Sequence, residues 1–183
     1  NEDFLAWHDG TGRKLTGDFI WNWHLNREGS YSVSYLVQSL AMTKWLKKCF
    51  GEVLLAGLSQ GGGAVLINSL QSKPKKAIIA SGHSVIKSLS WHSNPGTQLH
   101  AVPGYGSLTE RDSLRNELEK SSTKYFFSWG RKEVGTYKIE AEERRTFQAI
   151  DGLTNVEVVI HEEGHVFPVE DIKYWLGGVA ISQ

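Results

Sequence analysis

Short apolar runs alternate with longer amphipathic stretches along the chain, and glycines mark most of the joins. Phe4-Leu5-Ala6-Trp7 reads as a short strand closed by Asp9-Gly10-Thr11-Gly12, and Phe19-Ile20-Trp21-Asn22-Trp23 as another whose aromatics suit a pleated surface. From Tyr31 to Cys49 the spacing turns helical: Val33, Leu36, Leu40 and the Met42/Trp45/Leu46 group recur on that period. Ser30 is a natural N-cap for this helix, and Lys44, Lys47 and Lys48 gather where cations complement its dipole. Glu52 to Gly57 is continuously apolar after its first residue and is bounded by Gly51 and Gly61-Gly62-Gly63, as expected of a strand buried on both faces. Ala64 to Ile67 with Leu70 then predicts a buried helix, ended by Lys73-Pro74, and Lys76 to Ser81 the next strand.

Residues 83–107 are irregular, with Pro95, Gly96, Pro103, Gly104 and Gly106. Leu108 to Lys120 predicts a charged surface helix, Tyr125 to Trp129 a strand, and Tyr137 to Ile150 a helix turning Ile139, Phe147 and Ile150 inward. Val156 to Ile160 is a strand by its β-branched residues, and Val169 to Leu176 a closing helix. Strands alternating with helices imply an α/β fold, a three-layer sandwich whose mostly parallel sheet of about six strands is covered on both faces. The length of 183 residues suits one domain spanning 1–183.

Composition narrows the function classes. Hydrophobic residues at 40% and charged residues at 22% are ordinary for a soluble globular protein. Twenty Lys and Arg balance twenty Asp and Glu, so the basic excess of a broad nucleic-acid footprint or an anionic-membrane binder is missing. No apolar run approaches the ~20 residues of a membrane-spanning helix. Cys49 is the one cysteine, which excludes an intrachain disulfide and a cysteine-built zinc site. The chain opens at Asn1 without a methionine, so it reads as a processed or partial product, and residues 1–30 hold no signal-like apolar core. The sequence fixes neither compartment nor oligomeric state; a soluble, cytoplasmic protein is the favoured reading.

Gly57-Leu58-Ser59-Gln60-Gly61 carries the sharpest chemical signal: a G-x-S-x-G placed after a predicted strand and before a predicted helix. A nucleophile elbow needs that context, because it sets serine on a tight, strained strand-to-helix turn whose flanking glycines avoid Cβ clashes. Gln60 would then offer its backbone N–H to an oxyanion at the helix start. A phosphate-cradling P-loop fails, since no G-K-[ST] follows. A serine hydroxyl also needs a base, itself oriented by an acid. Gly130-Arg131-Lys132-Glu133 directly follows the 125–129 strand, and Gly164-His165 follows the 156–160 strand. In a parallel sheet the carboxyl ends share one edge, so serine, acid and histidine converge there.

With these motifs the chain resembles the α/β-hydrolase superfamily over most of residues 19–180. The resemblance rests on Gly57-Leu58-Ser59-Gln60-Gly61-Gly62, Gly130-Arg131-Lys132-Glu133 and Glu163-Gly164-His165; the wording of the first is similar to carboxylesterases, acyl-thioesterases and dienelactone-hydrolase-like members. It implies Ser59 as nucleophile, Glu133 as acid and His165 as general base, with no metal or organic cofactor. Two departures stand out. Many members carry aspartate where Glu133 stands, with Glu140, Glu142 and Glu143 as fallback acids here. The family sheet also begins with further strands, as though this chain were shortened at its N-terminus. The family's second oxyanion donor comes from an early loop, for which Asp9 or Gly10 is the nearest candidate.

His161-Glu162-Glu163-Gly164-His165 is also literally H-E-x-x-H, the zinc-binding pattern of two histidines one helical turn apart. A strand leads into it, Gly164 and Pro168 oppose a helix, and no histidine follows, so His161 reads as a satisfied structural histidine ending its strand. His8, His24, His83, His92 and His100 are scattered, as surface or core histidines are. Trp7, Trp21, Trp23, Trp45, Trp129 and Trp175 fall in predicted elements and are expected in the core. Residues 83–107 sit where hydrolases often carry a lid, which makes Trp91, His92 and Tyr105 the substrate-wall candidates. Arg131 and Lys132 read as solvated charge, or as a contact for an anionic substrate. The expectation is a serine hydrolase acting on a small-molecule acyl ester or thioester. Its rivals are a non-catalytic or inactive hydrolase-fold module, an acyltransferase and a zinc metalloprotease.

Overall fold

The continuous apolar runs form the strands, and the amphipathic stretches between them form the helices. A computed structural model of the protein describes residues 31–82, 111–133 and 149–177. The strands are β1 (Leu54–Leu58), β2 (Lys76–Ala80), β3 (Lys124–Gly130) and β4 (Val156–His161). They lie side by side in that order, all parallel. The helices are α1 (Tyr31–Phe50), α2 (Gln60–Ser72), α3 (Arg111–Glu119) and α4 (Val169–Trp175). The sheet therefore has four strands among the described residues rather than about six. The other candidates, at 4–7 and 19–23, lie outside those residues, as do 83–107 and most of the helix expected at 137–150.

Strand periodicity sorts the side chains onto two faces. Ala77 and Ile79 of β2 register with Tyr125 and Phe127 of β3, which register in turn with Val156 and Val158 of β4. Leu66 of α2, Leu114 and Leu118 of α3, and Ala149, Ile150 and Leu153 pack onto that face as one core. Successive crossovers step the same way along the sheet, so right-handed connections place α2 and α3 together. On the opposite face Ile78 lies beside Phe126, whose ring centroid is 5.4 Å from that of Trp175 on α4. Lys76 Nζ sits 4.7 Å from the same indole, and the sheet is covered from both sides.

α1 lies along α2, through Leu36 against Ala64 and Ile67. Asn68 Nδ2 donates to Ser39 Oγ at 2.7 Å and to Thr43 Oγ1 at 3.0 Å. Lys47 Nζ donates to the carbonyls of Ser72 (2.7 Å) and Lys73 (2.9 Å), so it satisfies the open C-terminal carbonyls of α2 rather than those of its own helix. The stripe that meets α2 is narrow and partly polar. Trp45 projects from the other side of α1 and is 56% exposed, against the expectation of a core tryptophan, while Trp129 is buried and Trp175 half-buried. Trp7, Trp21 and Trp23 lie outside the described residues.

Strand β1, the start of α2 and the end of β2 approach until their backbones touch. A Cβ on Gly57 would collide with the Gly61 carbonyl and come within 2.7 Å of Gly62 N. One on Gly62 would lie 2.8 Å from Gly82 Cα and 2.9 Å from Ala80 O, and one on Gly82 would strike Gly62. Gly61, expected to share this steric duty, does not: a Cβ there meets nothing within 4 Å among the described residues. Gly62 and Gly82 take its place.

Gly61→Ala is expected to leave stability unchanged or raise it by up to about 1 kcal/mol, as alanine replaces glycine inside a helix. Gly62→Ala must displace backbone and should cost more than ~2 kcal/mol. In the core, Phe127→Ala should cost about 3–5 kcal/mol. Urea unfolding followed by circular dichroism checks all three.

Candidate active site

Ser59 follows β1 and caps the start of α2, with φ 58° and ψ −125°. Such a backbone costs a non-glycine residue about 1–3 kcal/mol and persists only where its surroundings impose it. Here the glycine contacts and a hydrogen bond from Ser59 N–H to Ala80 O (2.9 Å) impose it. Ser59 is half-buried. Gln60 is the first residue of α2, where backbone N–H groups point out of the helix end and the dipole is positive.

Two strands away, a turn after β3 carries Glu133. Its side chain is fully buried, 0% exposed. One carboxylate oxygen, Oε1, accepts from Gly130 N–H at 2.9 Å and from the Ser81 hydroxyl. The other, Oε2, lies 3.1 Å from His165 Nδ1. A buried carboxylate survives only with such partners. A neutral imidazole that donates from Nδ1 to a carboxylate keeps its Nε2 lone pair for another proton.

The acid-bearing turn and the segment carrying His165 are joined by backbone. Arg131 N–H donates to His161 O at 2.8 Å, and Lys132 N–H to Glu163 O at 3.0 Å. Gly130 makes this possible, because a Cβ there would collide with the carbonyls of Glu163 and Gly164. Arg131 Nε pairs with Glu162 at 2.7 Å across the same seam, in the open, where such a pair contributes about 0–1 kcal/mol. The backbone bridging continues toward the serine turn, since Ser81 N–H donates to Ser128 O at 2.8 Å and Ser59 N–H to Ala80 O.

The structure thus brings Glu133 and His165 into contact and sets Ser59 on the same carboxyl edge of the sheet. Ser81, fully buried with φ 47°, was not legible as part of this arrangement. Its sequence signal is only a serine at a strand end. Asp9, Gly10, Trp91, His92, Tyr105 and the fallback acids Glu140, Glu142 and Glu143 lie outside the described residues. His161 does end β4 and is buried, yet neither ring nitrogen has a hydrogen-bond partner among the described residues, so it is not the satisfied histidine expected. The H-E-x-x-H geometry does not form either. His161 is in a strand, His165 is in the bend beyond it, and His165 turns Nδ1 to Glu133. No three His, Cys, Asp or Glu residues cluster as metal ligands among the described residues. No helix among them is long and apolar enough to cross a membrane.

No family model and no curated protein sequence matches the chain. Solved structures do. A puromycin-hydrolysing peptidase of Mycobacterium tuberculosis is similar at a TM-score of 0.52 and 17% identity, over 70% of this chain and 21% of that one. An esterase of Pyrococcus furiosus is similar at a TM-score of 0.51 and 19% identity, over 81% of this chain and 62% of that one. A puromycin hydrolase reaches a TM-score of 0.53 at 15% identity, over 78% of this chain and 25% of that one. This chain therefore spans less than two thirds of each. At such identities the likeness speaks to chain path alone. The likeness is one of fold alone: the chain has an α/β fold with a parallel sheet, similar to that of α/β hydrolases.

Proposed function

We propose that the chain is a serine hydrolase that cleaves a carboxylic ester or thioester through an acyl-enzyme on Ser59. The observation that carries this reading is the buried Glu133 carboxylate 3.1 Å from His165 Nδ1, at the sheet edge that also bears the strained Ser59 turn. On this reading Ser59 Oγ attacks the acyl carbon while His165 Nε2 accepts its proton. The tetrahedral oxyanion takes a hydrogen bond from Gln60 N–H at the positive end of α2. His165 then returns the proton to the departing alcohol or thiol, and the bond from the acyl carbon to that group breaks. Water, deprotonated by His165, releases the acid and restores Ser59. Glu133 holds Nδ1 of His165 throughout and stabilises the imidazolium. No metal or organic cofactor enters the scheme.

The similar structures support the reading, since they include an esterase and a puromycin-hydrolysing peptidase. From sequence alone, the proposal gives the second oxyanion contact to Asp9 or Gly10. It also assigns the substrate wall to Trp91, His92 and Tyr105 in a lid at 83–107, within one domain.

A fluorophosphonate probe is expected to form one adduct, located on Ser59 by peptide mass spectrometry and absent in Ser59→Ala. Glu133→Gln should slow labelling by about 10²–10⁴-fold, because the amide favours the wrong imidazole tautomer. A chelator should change nothing. Folded protein that takes no label, or takes it elsewhere, contradicts the proposal, and turnover lost on chelation returns the zinc reading.

A further inference from the structure

We infer that Ser81 is a positioning residue for the acid: its hydroxyl fixes one oxygen of Glu133 so that the other faces His165. The inference deepens the serine-hydrolase reading and rests on it for its catalytic meaning. Three features of Ser81 point this way.

The first is its backbone. Ser81 lies just past β2 with φ 47°, a conformation that L residues rarely adopt. Its own N–H holds that shape by donating to Ser128 O at 2.8 Å. Glycine would occupy the position with less strain, so the serine there is explained by what its side chain does.

The second is the target of that side chain. Ser81 Oγ donates to Glu133 Oε1, within the fold and shielded from water. Gly130 N–H donates to the same oxygen at 2.9 Å. With both donors on Oε1, the carboxylate cannot turn about its long axis without losing two bonds at once. Oε2 is thereby left to His165 Nδ1. A glutamate needs this more than an aspartate would, because its extra methylene adds a rotatable bond between backbone and carboxylate.

The third is connectivity. Gly130 belongs to the same turn as Glu133 and moves with it. Ser81 directly follows β2, and its neighbour Ala80 accepts the hydrogen bond from Ser59 N–H. The path from Ser59 N–H to Ala80 O, across one peptide to Ser81, and on to Glu133 and His165 ties the acid to the serine turn. Among the described residues no side chain of β1 or β2 itself bonds to Glu133, so Ser81 makes this link from the serine side of the sheet.

Ser81→Ala and Ser81→Gly separate hydroxyl from backbone, since both lose the donor but only glycine relaxes the positive φ. Fluorophosphonate labelling of Ser59 should slow by about 10–100-fold in both variants, with the half-saturating probe concentration unchanged. In proton NMR, the His165 Nδ1–H signal, drawn downfield by its charged acceptor, should move upfield or vanish in both, as in Glu133→Gln. Labelling within about twofold of wild type, or an Nδ1–H signal unmoved in Ser81→Ala, overturns the inference. So does recovery of both readouts in Ser81→Gly alone, which would make strain the cause. If wild-type Ser59 takes no label, the hydrolase reading fails, and the NMR comparison still decides whether Ser81 positions Glu133.

Discussion

A carboxylate cut off from water has to be satisfied by its surroundings, and in this chain that demand organises one whole edge of the sheet. Glu133 is such a group, with its side chain 0% exposed. Leaving a charge of that kind unpaired costs several kcal/mol, and removing one hydrogen-bond partner costs about 1–3 kcal/mol. Its partners come from three places: the Ser81 hydroxyl beyond β2, the Gly130 N–H in its own turn, and the His165 imidazole beyond β4. Each must arrive within hydrogen-bond distance at once. The carboxyl ends of three strands are therefore fixed relative to one another by a single group.

That convergence is sterically possible only because the backbones involved lack side chains. Gly130 lets the His165 segment close over the acid turn, and Gly57, Gly62 and Gly82 let the serine turn fold against the end of β2. Behind them the core of Leu66, Ile79, Phe127 and their neighbours supplies the apolar burial that makes such crowding affordable. The site's geometry and the sheet's stability thus draw on one set of packed strands.

Much of this was legible in the sequence because the signals were local. A continuous apolar run between glycines identifies the strand β1, and G-x-S-x-G between such a run and a helical pattern places Ser59. β1 is not buried on both faces as expected, because among the described residues nothing covers the face of Leu54 and Ala56, which are exposed. Glu133 and His165 could be named because each stands just past an apolar run, and parallel strands deliver such positions to a common edge. What stayed hidden depends on contacts between segments far apart in sequence. Nothing local distinguishes Gly62 and Gly82, whose backbones meet, from Gly61, where an added Cβ would meet nothing within 4 Å among the described residues. Ser81 looks like any serine at a strand end until β3 brings Glu133 beside it. Trp45 misled for a related reason: periodicity marks a helix but not how wide a stripe its neighbour will cover, and α2 takes only the side of Leu36, Ser39 and Thr43.

The central claim is that Ser59, His165 and Glu133 act as one unit at the sheet edge. A crystal structure of the protein after reaction with a fluorophosphonate tests it most directly. The account predicts phosphonate on Ser59 Oγ, with His165 Nε2 within about 2.6–3.2 Å of that oxygen or the adduct. Glu133 Oε2 should still hold Nδ1. An adduct on another residue, or a His165 ring turned away from a modified Ser59, would contradict it.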